Sequence, residues 1–308
     1  MTRKATLTAL LIVGAVASAA VIAAGIHYPR FRLVAIKAMG RAPYCPWANT
    51  LGVADEQRAQ LKFHTQFVQG SQVLEKDPAG YELMDTPRGR WWIPTGNEFV
   101  LPFNLAEQER EVYGKGDRAV HAGDTVLDCG ANVGTFTRTA LLHGAKLVVA
   151  FEPAPENIEV YRRNFQHMIA AGKVILVPKG VWDKEDVLLL KRDPHNNAAD
   201  SFVLLSDRSS AVEAPLTTVD KAVAELKLDR VDYIKMDIEG AEIRALRGAR
   251  ETLRKYHPRM SIAAEHFPTD GVEIPKAVKS LAPGYEVTCG PCLEMKGGRV
   301  QPDVLYFK

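Results

Sequence analysis

Beyond Gly123 the hydrophobic positions fall into a repeating rhythm of short β-rich runs alternating with stretches whose apolar residues stand three and four apart. Residues 125–129, 147–151 and 174–177 read as strands, and residues 135–143 and 156–169 read as helices. The rhythm resumes with 231–236 as a strand, 242–255 as a helix and 260–264 as a strand. Alternating units of this kind predict an α/β fold, a mostly parallel sheet with helices on both faces. Between the two halves, 187–191 and 201–205 predict an antiparallel excursion. Two more strand-like runs, 285–288 and 304–307, close the chain.

The first third has a different texture. Residues 7–26 are uncharged and almost wholly apolar, and about 20 residues of helix match the hydrocarbon core of a bilayer. Arg3 and Lys4 before the run and Ala17-Ser18-Ala19 within it also fit a cleaved signal peptide. The run continues through Val21, Ile22, Ala23, Ala24 and Ile26, which favours an uncleaved transmembrane anchor. Arg30, Arg32, Lys37 and Arg41 outnumber the two basic residues before the span, so a single-pass topology with the C-terminal part facing the cytoplasm is expected. Pro43, Pro46, Pro78, Pro87, Pro94 and Pro102 then punctuate short apolar pieces. Trp91-Trp92-Ile93-Pro94 and Phe99-Val100-Leu101-Pro102 suggest a short antiparallel element, and 106–113 a helix. The expected division is an anchor and juxtamembrane segment over 1–42, a linker and N-terminal cap over 43–117, and a catalytic domain over 118–308.

Composition adds exclusions. With 308 residues, 46% hydrophobic, the chain has material for one large α/β core plus an appendage. A formal net charge of +2 gives no polybasic signal for nucleic acid. Four cysteines, Cys45, Cys129, Cys289 and Cys292, are too few for a disulfide scaffold and suggest a reducing compartment. Cys289-Gly290-Pro291-Cys292 has redox spacing but lies between strand-like runs, not at a helix N-terminus, so it reads as a hairpin turn, with disulfide formation or metal binding as minor readings.

Chemistry concentrates at strand ends. Asp128-Cys129-Gly130-Ala131-Asn132-Val133-Gly134 follows the first strand and opens a helix, where glycines let backbone approach a small polar cofactor. The spacing is not the dinucleotide G-x-G-x-x-G. Glu152 ends the next strand, 24 residues after Asp128, where a carboxylate either accepts ribose hydroxyls or caps the following helix. Asp237, Glu239 and Glu242 crowd the end of the fourth strand and need a cation or a proton; Asp237 is the first choice to face the reacting centre. Glu265-His266 ends the neighbouring strand, so His266 is the candidate general base and Glu265 its catalytic companion. A mononuclear metal held by Asp237, Glu265 and His266 would suit carboxylate and imidazole donors, yet no ligand-rich signature demands one and no metal is assigned.

Taken together, residues 123–267 resemble the FkbM family of class I methyltransferases. The resemblance is carried by the Asp128–Gly134 loop with Thr135-Phe136, by Phe151-Glu152-Pro153, Asn157 and Asn164, and by Thr218-Val219-Asp220. It is completed by Ile234-Lys235-Met236-Asp237-Ile238-Glu239-Gly240-Ala241-Glu242 and by Glu265-His266. It implies a seven-stranded Rossmann-like sheet, S-adenosylmethionine as methyl donor, and O-methylation of a sugar, polyketide or similar hydroxyl-bearing acceptor. By position, Asp128, Gly130, Asn132 and Gly134 would hold the methionine end of the cofactor and Glu152 its ribose. Val181 and Trp182 would flank the adenine, and Asp237 would lie against both cofactor and acceptor. The hydrophobic anchor points to a lipid-linked or envelope-destined acceptor. A binding module without turnover, or another nucleotide-dependent α/β enzyme, is the alternative.

Overall fold

A computed structural model describes residues 28–193, 196–204 and 210–308. The apolar run 7–26 lies outside the described residues. Among the described residues no helix is long and apolar enough to cross a membrane.

The segment expected to be an irregular linker is mostly regular. Helix α1 (Pro29–Ala38) is followed by α2 (Trp47–Gly70), a 24-residue helix that the hydrophobic pattern does not announce. Its apolar positions keep no single face, because Val53, Ala54 and Phe67 are buried while Leu61 and Val68 face outward. Strands β1 (Gln72–Asp77), β2 (Tyr81–Thr86) and β3 (Gly89–Pro94) form an antiparallel meander. Trp91 and Trp92 therefore pair with Met84 and Leu83 rather than with the run at Phe99. That run instead opens α3 (Val100–Glu109), which replaces the helix expected at 106–113. Pro102 is tolerated there because the first turn of a helix has no partner for its N–H in any case.

The catalytic layer begins with β4 (Thr125–Cys129), α4 (Thr135–Leu142), β5 (Leu147–Phe151), α5 (Pro155–Ala170) and β6 (Val174–Val177). An excursion follows in β7 (Gly180–Val181), β8 (Asp186–Arg192) and β9 (Ser210–Thr217). Strand β8 pairs with β9, whereas Ser201, in the run expected to be its partner, makes only an isolated bridge to Lys191. The chain re-enters through α6 (Val219–Glu225), β10 (Tyr233–Met236), α7 (Glu242–Arg247), α8 (Arg250–Tyr256), β11 (Arg259–Ala263) and α9 (Asp270–Leu281). The expected single helix over 242–255 is thus two. It breaks at Gly248, where a side chain would stand 2.1 Å from the Trp182 carbonyl oxygen.

The chain ends in β12 (Val287–Cys289), β13 (Cys292–Met295), β14 (Arg299–Pro302) and β15 (Val304–Phe307). The main sheet has seven strands in the order β12-β15-β11-β10-β4-β5-β6. Strands β11, β10, β4, β5 and β6 are mutually parallel, and β15 runs antiparallel between β11 and β12. One face buries Leu127, Val149, Ile234 and Ile262 against α6 to α9, and the other buries Val126, Val148 and Ala150 against α4, α5 and the meander. Strand β4 is flanked by β5 on one side and β10 on the other, so the connections diverge there and open a crevice at the carboxyl ends of the strands.

Cys289-Gly290-Pro291-Cys292 is not a hairpin turn. It links β12 of the main sheet to the separate β13–β14 hairpin, and Cys292 is joined to Cys45 in a disulfide. The minor reading, disulfide formation, therefore holds for Cys292 against the expectation drawn from a reducing compartment, and the described free thiols are Cys129 and Cys289. Leu33, Ile36, Val53 and Ala54 of α1 and α2 pack with Val300 around the disulfide, and Asn49 Nδ2 donates to the Gly290 carbonyl at 2.7 Å. The N-terminal helices are thereby fastened to the C-terminal hairpin.

Candidate functional site

The turn after β4 is shaped by what stands behind it. Gly130 has φ +82°, and a Cβ there would lie 1.9 Å from the Asp237 carbonyl oxygen, so the two strand ends touch through a glycine. Its amide and that of Ala131 donate to the Phe151 carbonyl at 3.1 and 3.0 Å. Asn132 holds φ +50°, a costly conformation for a side-chain-bearing residue, and is fixed there by partners on both sides. Its amide donates to Glu152 Oε2 at 2.8 Å, and its Nδ2 donates to the Asn197 carbonyl at 3.0 Å.

Glu152 accepts two further hydrogen bonds at Oε1, from the Ala154 amide at 3.0 Å and Asn157 Nδ2 at 3.3 Å. Burial pushes its carboxyl up to about 7, against these donors. Asn157 and Asn197 are paired side chain to side chain at 2.7 Å, and the Asn197 amide donates to Asn97 Oδ1 at 2.9 Å. Asn97 and Asn197 were not singled out in the sequence, since no motif surrounds either. Asp200, on the same wall, is pushed to about 8 by burial.

Under the β4–β10 junction lies a buried cation. The parallel register sets Lys235 beside Asp128, and its Nζ donates to the Gly130 carbonyl at 2.8 Å. It stands 3.7 Å from Asp128 Oδ1 and 3.9 Å from Asp237 Oδ2. Burial alone would lower its pKa, but Asp128 and Asp237 raise it, so the ammonium persists. Asp128 is fully buried, and its Oδ2 accepts from Thr137 Oγ1 at 2.7 Å.

At the opposite end Tyr113 donates its hydroxyl to Asp237 Oδ2 at 2.6 Å. Burial works to raise Asp237, yet Lys235, His266 and Tyr113 hold it below the usual carboxylate value. His266 Nε2 lies 3.7 Å from Asp237 Oδ1 and 3.4 Å from Glu239 Oε2, and Nδ1 lies 3.4 Å from Glu242 Oε1. Burial would lower the imidazole pKa, but Glu239 and Glu242 push it up to about 12. Glu107 and Glu265 are both raised well above their ordinary value, first by burial and then by Asp303 and Asp237.

A cavity of about 440 Å³ joins these two ends. Of the residues expected around a cofactor, Gly130, Asn132, Glu152, Val181 and Asp237 line it. Asp128, Gly134 and Trp182 do not. Asp128 is the partner of Lys235 and Thr137 below the loop, and Gly134, at φ +99°, lies against the Phe165 ring at the start of α4. Trp182 packs with Leu216 and Ala241 under the Arg244 guanidinium, and Phe202, edge-on to it, lines the cavity instead. Glu265 reaches the wall, whereas His266 stays behind Asp237 and Glu239 and is poorly placed to receive a proton from an acceptor. The remaining wall comes from the N-terminal segment: His64 of α2, Val100, Phe103, Asn104 and Glu107 of α3, and Tyr113. The Trp91–Phe103 segment reads from its aromatic and apolar residues as an acceptor lid or cap packing, which covers Val100 and Phe103; His64, Asn104, Glu107 and Tyr113 were missed because no spacing in the sequence ties them to the strand ends.

A model of the methyltransferase FkbM domain matches residues 128–286. The chain belongs to the FkbM methyltransferase family. It is similar to 31-O-demethyl-FK506 methyltransferase FkbM of Streptomyces tacrolimicus, with 27% identity over 157 residues, which is 42% of this chain and 60% of that protein. The match therefore spans about 60% of the length of that curated relative. Among solved structures it is similar to methyltransferase FkbM from Methylobacillus flagellatus KT (TM-score 0.45, 17% identity, 83% of this chain and 60% of that one). It is also similar to Trm5b from Pyrococcus abyssi (TM-score 0.44, 14% identity, 76% of this chain and 57% of that one). The seven-stranded sheet, with its antiparallel β15 inserted between β11 and β12, is a class I methyltransferase-like α/β fold.

Proposed function

We propose that the protein is an S-adenosylmethionine-dependent methyltransferase acting on a hydroxyl of a sugar, lipid-linked or secondary-metabolite acceptor. The observation that carries this reading is the continuity of the cavity: one volume runs from the Gly130 loop and Glu152 to Asp237, Glu265 and Glu107. The residues present fit the cofactor. Gly130, packed against the Asp237 backbone, lets the loop after β4 turn along the cavity, and Glu152 offers a buried carboxylate to a ribose. Val181 and Phe202 give an apolar wall for a purine, and buried Asn197 Oδ1 and Asp200 Oδ2, without hydrogen-bond partners, suit its amino group. When bound there, S-adenosylmethionine supplies a methyl group made electrophilic by its sulfonium.

The chain's own residues align, exclude water and take a proton. Asp237, held by Tyr113 and Lys235, faces the reacting region in a fixed orientation. Glu265, on the wall beside it, takes the proton of the acceptor hydroxyl, the role first assigned to His266. Phe103 and Phe99 of the cap shield the acceptor end from solvent. Membrane tethering through residues 7–26 belongs to the same proposal. Tyr28, Phe31, Val34 and Met39 leave an exposed apolar flank at and along α1, next to Arg30 and Arg32, which suits a headgroup boundary.

Calorimetric titration of the full chain with S-adenosylmethionine and, separately, with NADH tests the reading. Micromolar binding of the first alone, lost in Glu152→Ala, is expected. A folded protein that binds neither ligand would remove the enzyme assignment.

A further inference from the structure

The acceptor end contains a feature that methyl transfer by itself does not require. The His266 side chain is 5% exposed, and neither ring nitrogen has a hydrogen-bond partner. Both nitrogens nevertheless point into carboxylates: Asp237 and Glu239 on the Nε2 side, and Glu242 on the Nδ1 side. The spacing is informative. Hydrogen-bonded N···O pairs settle at about 2.7–3.2 Å. Two donors that share an ion through bonds of about 2.1 Å, at angles of roughly 105–120°, stand about 3.3–3.6 Å apart. The observed separations from Nε2 are 3.4 and 3.7 Å.

We propose that Asp237 Oδ1, Glu239 Oε2 and His266 Nε2 form a binding site for one divalent cation at the acceptor end of the cavity, the ion taking the place of the Nε2 proton, which is released to solvent. Glu242 orients the imidazole from behind. Its side chain is only 2% exposed and its Oε1 already accepts from the Ile238 amide at 2.9 Å, so it is anchored independently of any ion. A carboxylate at the second nitrogen of a ligating histidine fixes the ring and its tautomer. Donor atoms of Asp237, Glu242 and His266 lie within 4.8 Å of one another, and Glu239 joins this cluster through its 3.4 Å approach to His266 Nε2. Asp237 and Glu239 line the cavity, so the open positions of the ion face the acceptor. Two carboxylates and one imidazole suit a first-row divalent ion such as Mn²⁺ or Zn²⁺. The backbone supports the arrangement: Glu239 holds φ +54° and Gly240 φ +92°, a sharp reversal that returns the Glu239 carboxylate toward His266.

The ion would place a positive charge where an acceptor oxygen must lose its proton, and it would orient that oxygen toward the reacting centre. This inference rests on the cluster itself, not on the identity of the methyl donor. The two can fail separately, because cofactor binding is measured without metal and metal binding without cofactor.

The test uses the full chain, stripped with a chelator and titrated with Mn²⁺ alone under electron paramagnetic resonance. One equivalent should bind in the micromolar range, and pulsed measurement should detect coupling to one imidazole nitrogen. His266→Gln should abolish that coupling and weaken Mn²⁺ binding at least about tenfold, while S-adenosylmethionine still binds and reports that the variant is folded. Because the nitrogen coupling is read on the wild-type protein, the test survives a variant that fails to fold. No bound Mn²⁺ at about 1 mM, the weakest range of protein cation sites, would overturn the proposal. So would binding without nitrogen coupling, or unchanged binding in a folded His266→Gln.

Discussion

The two ends of the cavity are built on opposite plans. At the Glu152 end the anchoring groups are paired: Glu152 accepts three hydrogen bonds, and Asn132, Asn157 and Asn197 are knitted to one another across three chain segments. At the Asp237 end the carboxylates of Asp237, Glu239, Glu242 and Glu265 crowd one imidazole, with Lys235 shared between Asp237 and Asp128. The difference teaches what each end is for. A preorganised pocket whose few open acceptors, Asn197 Oδ1 and Asp200 Oδ2, suit one ligand holds that ligand in place, whereas a charged and incompletely paired pocket is set up to meet charge that arrives with an acceptor or an ion.

The sharpest way to break the comparison is to strike the point where both ends meet. In Gly130→Ala the new Cβ collides with the Asp237 carbonyl oxygen at a backbone angle that alanine resists. Cofactor affinity should fall by more than about 100-fold, activity should vanish, and stability should drop by about 2–4 kcal/mol. Calorimetry and denaturant melts read all three. A variant that kept cofactor affinity within about threefold would show that the loop does not approach the ligand as argued.

A smaller effect separates the ends by pH. The folded Glu152 carboxyl is raised to about 7 from 4.5, so the folded state keeps a proton that the unfolded chain has released. Its contribution to stability is therefore full below pH 4.5, declines between 4.5 and 7, and is flat above. Ribose hydroxyls donate better to the ionised carboxylate, so cofactor affinity should rise about tenfold as pH climbs through 7. Asp200 on the same wall titrates near 8, and cofactor groups also ionise in this region; subtracting the profile of Glu152→Gln isolates the first step. Parallel profiles in the two proteins would remove Glu152 from the cofactor site.

The same contrast explains what could be read from the residues in advance. Strands β4, β5, β6 and β10 are mostly hydrophobic runs, and β4, β5 and β10 carry their glycines or acidic residues directly after the strand, so hydrophobic period, glycine spacing and acidic strand ends exposed the sheet and the cofactor side together. Tyr113, Glu107 and His64 reach the cavity from segments whose pattern does not tie them to the strand ends: α2 lacks a continuous apolar stripe, and Tyr113 lies in an irregular turn where 106–113 suggested a helix. Trp182 and His266 were misplaced for a related reason. Sequence position puts both near the right strand ends, but not on the right side of the wall, and that choice depends on Phe202, Glu239 and Glu242 packing around them.

The mildest test concerns how the N-terminal segment is held. Cys45 and Cys292 join residues 247 positions apart, and disulfides typically stabilise a fold by about 2–4 kcal/mol, mainly by limiting the unfolded chain. Helix α2, fastened by this bond, carries His64 into the acceptor wall, and its Gln60 Nε2 donates to the Phe103 carbonyl at 3.1 Å. Among the described residues His64 is the one residue of α2 on the cavity wall, and its ring lies 6.2 Å from that of Phe103. Cys45→Ser should therefore lower the melting temperature and raise the acceptor KM a few-fold, with cofactor affinity unchanged. Cys289 Sγ lies 3.5 Å from Cys292 Sγ, so once Cys45 is gone an oxidised variant can close the neighbouring pair instead, a bond that leaves α2 unfastened. Thiol counting and mass mapping distinguish the two pairings: native protein should show Cys129 and Cys289 free, and the variant only Cys129. If Cys45→Ser weakened the cofactor as much as the acceptor, the two ends would be mechanically one, and the separation drawn from their hydrogen bonding would not extend to their stability.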